Sequence, residues 1–222
     1  DFTALAWHVL EPEAAFIPNW HLDCIADHLE AATRGDLLNL VINIPPRHMK
    51  SLSVGVFWPC WEWAWQPHTR WLFNAYAESL SVRDSTKARR LILSPWYQAR
   101  WGDRFQLAGD QNAKMRFDND RTGYRLASSV KGGNTGEGGD RLVADDPHNV
   151  KQGESEAERQ GVLTWWDEVM PSRRNDPKTS VINTDHRDKV TTVIRKFTLS
   201  AEQAAAKFGE ENLSAKILKA YN

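Results

Sequence analysis

An α/β fold with a central, mainly parallel sheet flanked by helices is what this sequence predicts. Three observations lead there. Apolar runs of strand length occur at Leu37 to Ile44, Arg70 to Tyr76 and 141–144. Segments with helical spacing separate them, which is the alternation of a βα chain. The first run is nearly continuous in apolar residues, as in a strand buried on both faces of a parallel sheet. The chain has 222 residues, 41% of them hydrophobic, enough for one sizeable core with at most a small appendage.

Taken in order, "NWHLDCIADHLEAA" (19–32) predicts a helix. Trp20, Cys24, Ile25, His28 and Leu29 share one face, and Asn19 stands at the N-cap. Arg34-Gly35-Asp36 ends it before the strand at Leu37. Ser51 to Trp65 predicts a helix kinked or ended near Pro59. A second buried strand, "RWLFNAY", precedes a helix with a basic face from Glu78 to Leu93. Residues 115–130 alternate around Arg121-Thr122-Gly123, a β-hairpin pattern. The glycine-rich "GGNTGEGG" (132–139) leads into the strand "RLVA", which ends on Asp145-Asp146. A helix spans 154–170, a further strand starts at Ser180 to Asn183, and Ser200-Ala201-Glu202-Gln203 forms a capping box for a C-terminal helix.

Composition excludes several classes. The formal net charge of −1 gives no global basic field for nucleic acid, so any DNA contact needs a local patch. Arg83, Lys87, Arg89, Arg90, Arg100 and Arg104, set against Asp84 and Asp103, form such a patch, or simply a solvated helix face. Cys24 and Cys60 make neither a disulfide framework nor a zinc site and suit a reducing cytoplasm. No apolar run reaches the ~18 residues of a membrane span; Val54 to Trp65 is broken by Pro59 and Glu62. No signal peptide is visible, and a chain opening on Asp1 rather than Met reads as a fragment or a trimmed chain. The eleven tryptophans read mainly as core and interface fillers.

Two stretches carry chemistry. "NLVINIPPRHMKSLSVGVF" (39–57) is a strand, a polar loop ending in Lys50-Ser51, and an apolar helix, the layout of a phosphate-binding loop. Such loops need converging N–H groups, a lysine for charge and a hydroxyl for Mg²⁺. They usually take glycine where φ is positive, but here Ile44 and Met49 occupy those places. The bland alternative is a proline turn with an exposed lysine. The second stretch, "RLVADD", supplies what the first requires. On a strand beside the phosphate loop, an acid for Mg²⁺ (Asp145) is followed by a carboxylate that positions or deprotonates water (Asp146). Alone it reads as an acidic turn before Pro147.

With "PNWHLDCIADHLE" (18–30), "NIPPRHMKS" (43–51), "SPWYQARWGDRF" (94–105), "DQNAKMRFDNDRTGYRLASSV" (110–130), "TGEGGDRLVADDPHN" (135–149) and "WWDEVMPSRRNDPKT" (165–179), the chain resembles the ATPase region of the large terminase subunit of tailed bacteriophages and prophages. In that family "PPRHMKS" is an ordinary phosphate loop. The resemblance implies a P-loop NTPase fold of the ASCE/RecA-like kind over residues 1–180. Its implied work is ATP hydrolysis driving double-stranded DNA into a procapsid. Its implied companions are ATP and Mg²⁺, a homo-oligomeric ring on a portal protein, a small terminase subunit, and the bacterial host cytoplasm, with no membrane. Pro46, Arg47, His48, Met49, Lys50 and Ser51 would form the nucleotide loop. Lys50 would meet the β- and γ-phosphates, and Ser51 and Asp145 would serve the metal. Asp146 would be the catalytic carboxylate. Arg47 either reaches the γ-phosphate or is a surface arginine. Trp20 and His21 lie in an adenine-binding element, with Trp20 as pure core the alternative and His21 structural rather than catalytic. Arg141 is either an arginine finger acting on a neighbouring subunit or the partner of Asp140 or Glu137.

The chain departs from the family after residue 179. "SVINTDHRDKV" gives a short strand, and His186-Arg187-Asp188 lacks the glutamine-arginine pair of the coupling motif. Residues 181–222 are expected to form a lid or linker, and the nuclease domain of about 200 residues is expected to be absent. Three rivals remain. One is a non-hydrolysing nucleotide-binding or assembly module. The second is a metal-dependent nuclease using Asp145 and Asp146. The third is a helicase-like translocase.

Overall fold

The computed structural model describes residues 2–45, 47–130, 132, 136–149, 154–177 and 179–185. Their centre is a seven-stranded mixed sheet in the order β1-β7-β6-β2-β5-β4-β3. The strands are β1 (Asn39–Asn43), β2 (Trp71–Ala75), β3 (Leu107–Asn112), β4 (Arg116–Asn119), β5 (Tyr124–Ser129), β6 (Arg141–Asp145) and β7 (Ser180–Asp185). From β1 to β5 across the sheet every pairing is parallel; β4 and β3 extend it antiparallel. The helices are α1 (Phe2–Leu10), α2 (Trp20–Arg34), α3 (Lys50–Leu52), α4 (Trp58–Trp63), α5 (Glu78–Ile92), α6 (Pro95–Trp101) and α7 (Glu156–Thr164). This is the expected α/β class.

The central strands follow the apolar runs. β2 is buried at every residue and β6 at every residue but the last. One sheet face carries Ile182, Val143 and Phe73 into a core shared with Leu29, Val54, Phe57, Trp63 and Leu91. The other carries Val181, Leu142, Leu72 and Leu126 against Trp166 and Met170. Each such side chain contributes about 1.5–3 kcal/mol relative to exposure. Trp58, Trp63, Trp71 and Trp166 are buried, as the filler role requires.

Two expectations need correction, the covering of β1 and the boundary at residue 180. β1 is an edge strand of the sheet and is only partly covered, not buried on both faces. The acidic strand β6 ends beside the loop that follows β1, with β7 standing between the two strands. β7 is thus an integral, buried strand, and the sheet continues past the expected boundary at residue 180. Of the two outcomes expected near Pro59, the helix is distorted rather than ended. α3 runs through a π turn, Ser53–Phe57, into α4. Pro59 has no N–H to give the Gly55 carbonyl four residues back. The buried Arg125 donates to that carbonyl instead, Nη2 to O 2.9 Å.

Smaller features are local. Asn19 stands at the N-cap of α2 but makes no side-chain capping bond, while Gly35 closes that helix at φ +82°. The hairpin β4–β5 forms as expected. No helix among the described residues is long and apolar enough to cross a membrane. The capping box at 200–203 and residues 186–188 lie outside the described residues.

Candidate functional site

The loop after β1 is built without glycine at its turning points. Arg47 has φ +66° and Met49 φ +62°, the left-handed region that glycine enters freely and other residues enter at a cost of about 1–2 kcal/mol. Of the two residues expected in a glycine's place, Met49 adopts that conformation and Ile44 does not. Its carbonyl accepts from Ser53 N–H at 2.8 Å, so the turn leads directly into the helix begun by Lys50. Such strain persists only where surrounding structure enforces it, and it concentrates at functional sites. Pro46 lies outside the described residues.

Lys50 is 4% exposed. Its Nζ meets the carboxylate of Asp146 in a short contact and Asp145 Oδ1 at 3.5 Å. In a strand, successive side chains point to opposite faces, so two consecutive aspartates should not reach one ammonium. Asp146 escapes that rule at φ +47°. Its backbone is clamped on both sides: its N–H donates to Thr184 O at 2.8 Å, and its carbonyl accepts from Tyr76 N–H at 3.0 Å. Both carboxylates are therefore held toward Lys50. Thr184, paired with Asp145 in the parallel register, donates its hydroxyl to Asp145 Oδ1. One buried ammonium thus serves two carboxylates.

Other expected residues fall at differing distances from this centre. Ser51 follows Lys50 at the helix start and is half-buried. Arg47 and His48 are exposed. His48 donates through Nδ1–H to Pro45 O at 3.2 Å, and its ring lies 5.6 Å from that of His21. His21 in turn meets Trp20 edge-on at 6.1 Å. Trp20 is 56% exposed, which overturns the pure-core alternative and leaves an aromatic surface beside the loop.

Arg141 does not join them. It sits at the opposite end of β6, about 13 Å of strand away, and is buried. Nη2 donates to Glu62 Oε1 at 2.7 Å and to Thr33 O at 3.1 Å, and Nε to Glu62 Oε2 at 3.3 Å. The ion-pair partner is Glu62, not the Asp140 or Glu137 carboxylate, although Nη1 also donates to the Asp140 carbonyl at 3.1 Å, and a guanidinium so enclosed cannot act on a neighbour. Burial pushes the Glu62 carboxyl up to about 7 against the pull of Arg141.

The basic patch also resolves into separate contacts. Arg83 forks onto Asp84, Lys87 reaches Glu11 at 3.3 Å, Arg89 bonds Asn112, Arg100 lies over Trp96 and Arg104 over Trp65.

Three contributors escaped sequence reading. Thr184 carried one usable signal, a hydroxyl at the carboxyl end of a short apolar run. Asp84 and Arg125 carried none, because a charged residue within a helix or hairpin reads as solvent-facing. Asp84 is 5% exposed and Arg125 1%. Arg125 stacks 4.0 Å over Phe73, and burial lowers its basicity to about 10. A scan against protein-family models and a search of curated proteins each find no match to this chain.

Proposed function

We propose that this chain is a P-loop ATPase domain whose hydrolysis of ATP powers movement of double-stranded DNA, in the manner of a large terminase packaging a viral genome. One observation carries the reading. A buried lysine opens a helix directly after a strained loop, and it is paired with two carboxylates at the carboxyl end of a parallel strand two places across the sheet. Ligands of open parallel α/β sheets bind outside the carboxyl ends of their strands.

The donor set suits magnesium bound together with nucleotide. That ion typically takes one or two protein ligands, with phosphate and water for the rest. Asp145, oriented by Thr184, and the Ser51 hydroxyl match it. Among the described residues no group of three or more His, Cys, Asp or Glu converges as a metal cage. When bound, magnesium neutralises phosphate charge. Lys50 donates to phosphate oxygens, and in doing so leaves Asp146. The freed Asp146 carboxylate then orients water and accepts its proton. The left-handed loop turns its N–H groups to the phosphates, with Trp20, His21 and His48 as an aromatic edge for a base. Work on DNA would take place in a homo-oligomeric ring on a portal protein, with a small subunit choosing the DNA, in the cytoplasm of a bacterial host.

The Lys50–Asp146 contact also favours a second reading, a nucleotide-binding module that does not hydrolyse, since the acid is engaged by the lysine. Steady-state ATP hydrolysis across a protein-concentration series separates the two. Turnover rising faster than linearly, and lost in Lys50→Ala and Asp146→Asn, supports the motor. Binding through Lys50 without turnover supports the module. Metal-dependent DNA cleavage without ATP sinks both in favour of a nuclease at Asp145 and Asp146.

A further inference from the structure

A nucleoside triphosphate would bring several negative charges to the Lys50 cluster. A cation stands close by. Arg83 lies on the second turn of α5, the helix that begins just past the carboxyl end of β2. β2 is hydrogen-bonded to the site, pairing Ala75 with Asp145 and linking Tyr76 to Asp146.

Arg83 is fixed and yet half exposed. Nε donates to Asp84 Oδ1 at 2.8 Å and Nη2 to Asp84 Oδ2 at 3.1 Å. The Arg83 side chain is 52% exposed and that of Asp84 only 7%. A bidentate fork gives a guanidinium direction as well as charge. These bonds occupy two of its five N–H groups.

Asp84 is itself anchored to the loop helix. A methyl placed on Gly55 would lie 3.6 Å from Asp84 Oδ2, so that carboxylate packs on the π turn that follows Lys50. Arg125, bonded to the Gly55 carbonyl, adds its charge to Asp84. A surface helix pair needs no buried aspartate and no buried arginine behind it. The bond to Asp84 raises the basicity of Arg83, and Asp145 and Asp146 raise it further, so all three carboxylates act on this guanidinium.

We propose that Arg83, held by Asp84, is the second cation of the site: it contacts the terminal phosphate of a bound nucleoside triphosphate beside Asp146 and so distinguishes triphosphate from diphosphate. This rests on the nucleotide reading of the Lys50 cluster. Arg83 belongs with this centre, not with a DNA-binding face.

Calorimetric binding of ADP and of a non-hydrolysable ATP analogue, both with Mg²⁺, tests it on the full chain. The proteins are wild type, Lys50→Ala, Arg83→Ala and Arg83→Lys, with unfolding curves for each. A lost charge-assisted contact predicts triphosphate binding weaker by about 10- to 100-fold in Arg83→Ala. ADP affinity should stay within about threefold, less than the loss of one neutral hydrogen bond. Arg83→Lys should regain part of the loss, which a purely structural role would not predict. An Arg83→Ala protein that folds and keeps the wild-type ratio of the two affinities overturns the inference and leaves the Lys50 site standing. Wild type that binds neither nucleotide, or binds them equally well without Lys50, overturns the site reading and this inference with it.

Discussion

The two ends of β6 carry buried ions under opposite rules. At the amino end, Arg141 faces Glu62 one to one, and further acceptors from Thr33, Asp140 and Ser180 surround the guanidinium. At the carboxyl end, one lysine faces two carboxylates, and left-handed backbone at Arg47, Met49 and Asp146 surrounds it. The first end is satisfied and closed. The second is strained, and its carboxylates share one lysine and keep some contact with solvent. Saturation marks a fastener; an ion cluster held open to solvent by strain marks a place prepared for something else.

Breaking the fastener should have the largest effect. Arg141→Ala leaves Glu62 buried without its cation, and removing one partner of a buried pair costs about 3–5 kcal/mol. Denaturant unfolding at pH 8, where Glu62 is ionised, should show a loss of that size. Replacing both partners by hydrophobic residues of similar volume should recover most of it. A loss below about 1 kcal/mol, as for an exposed pair, would erase the contrast between the two ends.

The same pair should make stability depend on pH. Folding raises the Glu62 carboxyl from its ordinary 4.5 to about 7, mainly through burial. A carboxyl with a raised folded-state value binds more protons when folded. Its contribution is therefore complete below about 4.5 and is lost as pH rises through about 7. Wild type should lose stability relative to Glu62→Gln between pH 5 and 8. Parallel curves would show that Glu62 stays ionised throughout.

At the other end, removing a charge should cost little. Asp146→Asn takes away one of two neighbouring negative charges and keeps the shape of the side chain. Stability should change by less than about 1 kcal/mol, with a gain as reasonable as a loss, because strained functional sites often trade stability for activity. Hydrolysis, if present in wild type, should vanish. A loss as large as that of Arg141→Ala would make Lys50–Asp146 a second fastener.

The contrast between the ends also explains what sequence could show. The strands β2 and β6 were legible because apolar runs of strand length have few other uses. Lys50, Asp145 and Asp146 were legible because each terminates such a run or opens the helix after it. β3, "LAGDQN", was missed because an edge strand with polar, exposed residues has neither run nor alternation. The insertion of β7 was missed because strand order is set by long-range pairing, to which local pattern is blind. Arg141 was misassigned for the same reason. Its ion-pair partner is Glu62, distant in sequence, while Asp140 offers it only a backbone carbonyl.

The smallest effect tests the strain itself. Arg47 is exposed, so Arg47→Gly removes no core contact, whereas Met49 packs partly against the core. At φ +66°, glycine relieves a penalty of about 1–2 kcal/mol. Its more flexible unfolded chain returns about 0.4–1 kcal/mol of that. The net expectation is a gain of about 0.5–1 kcal/mol in urea unfolding. A glycine at this position would also restore the backbone composition usual for phosphate loops while deleting a cation. If the loop's task is to present N–H groups, ADP binding should survive the change. If ADP binding falls while stability rises, the arginine side chain itself is what the strain serves.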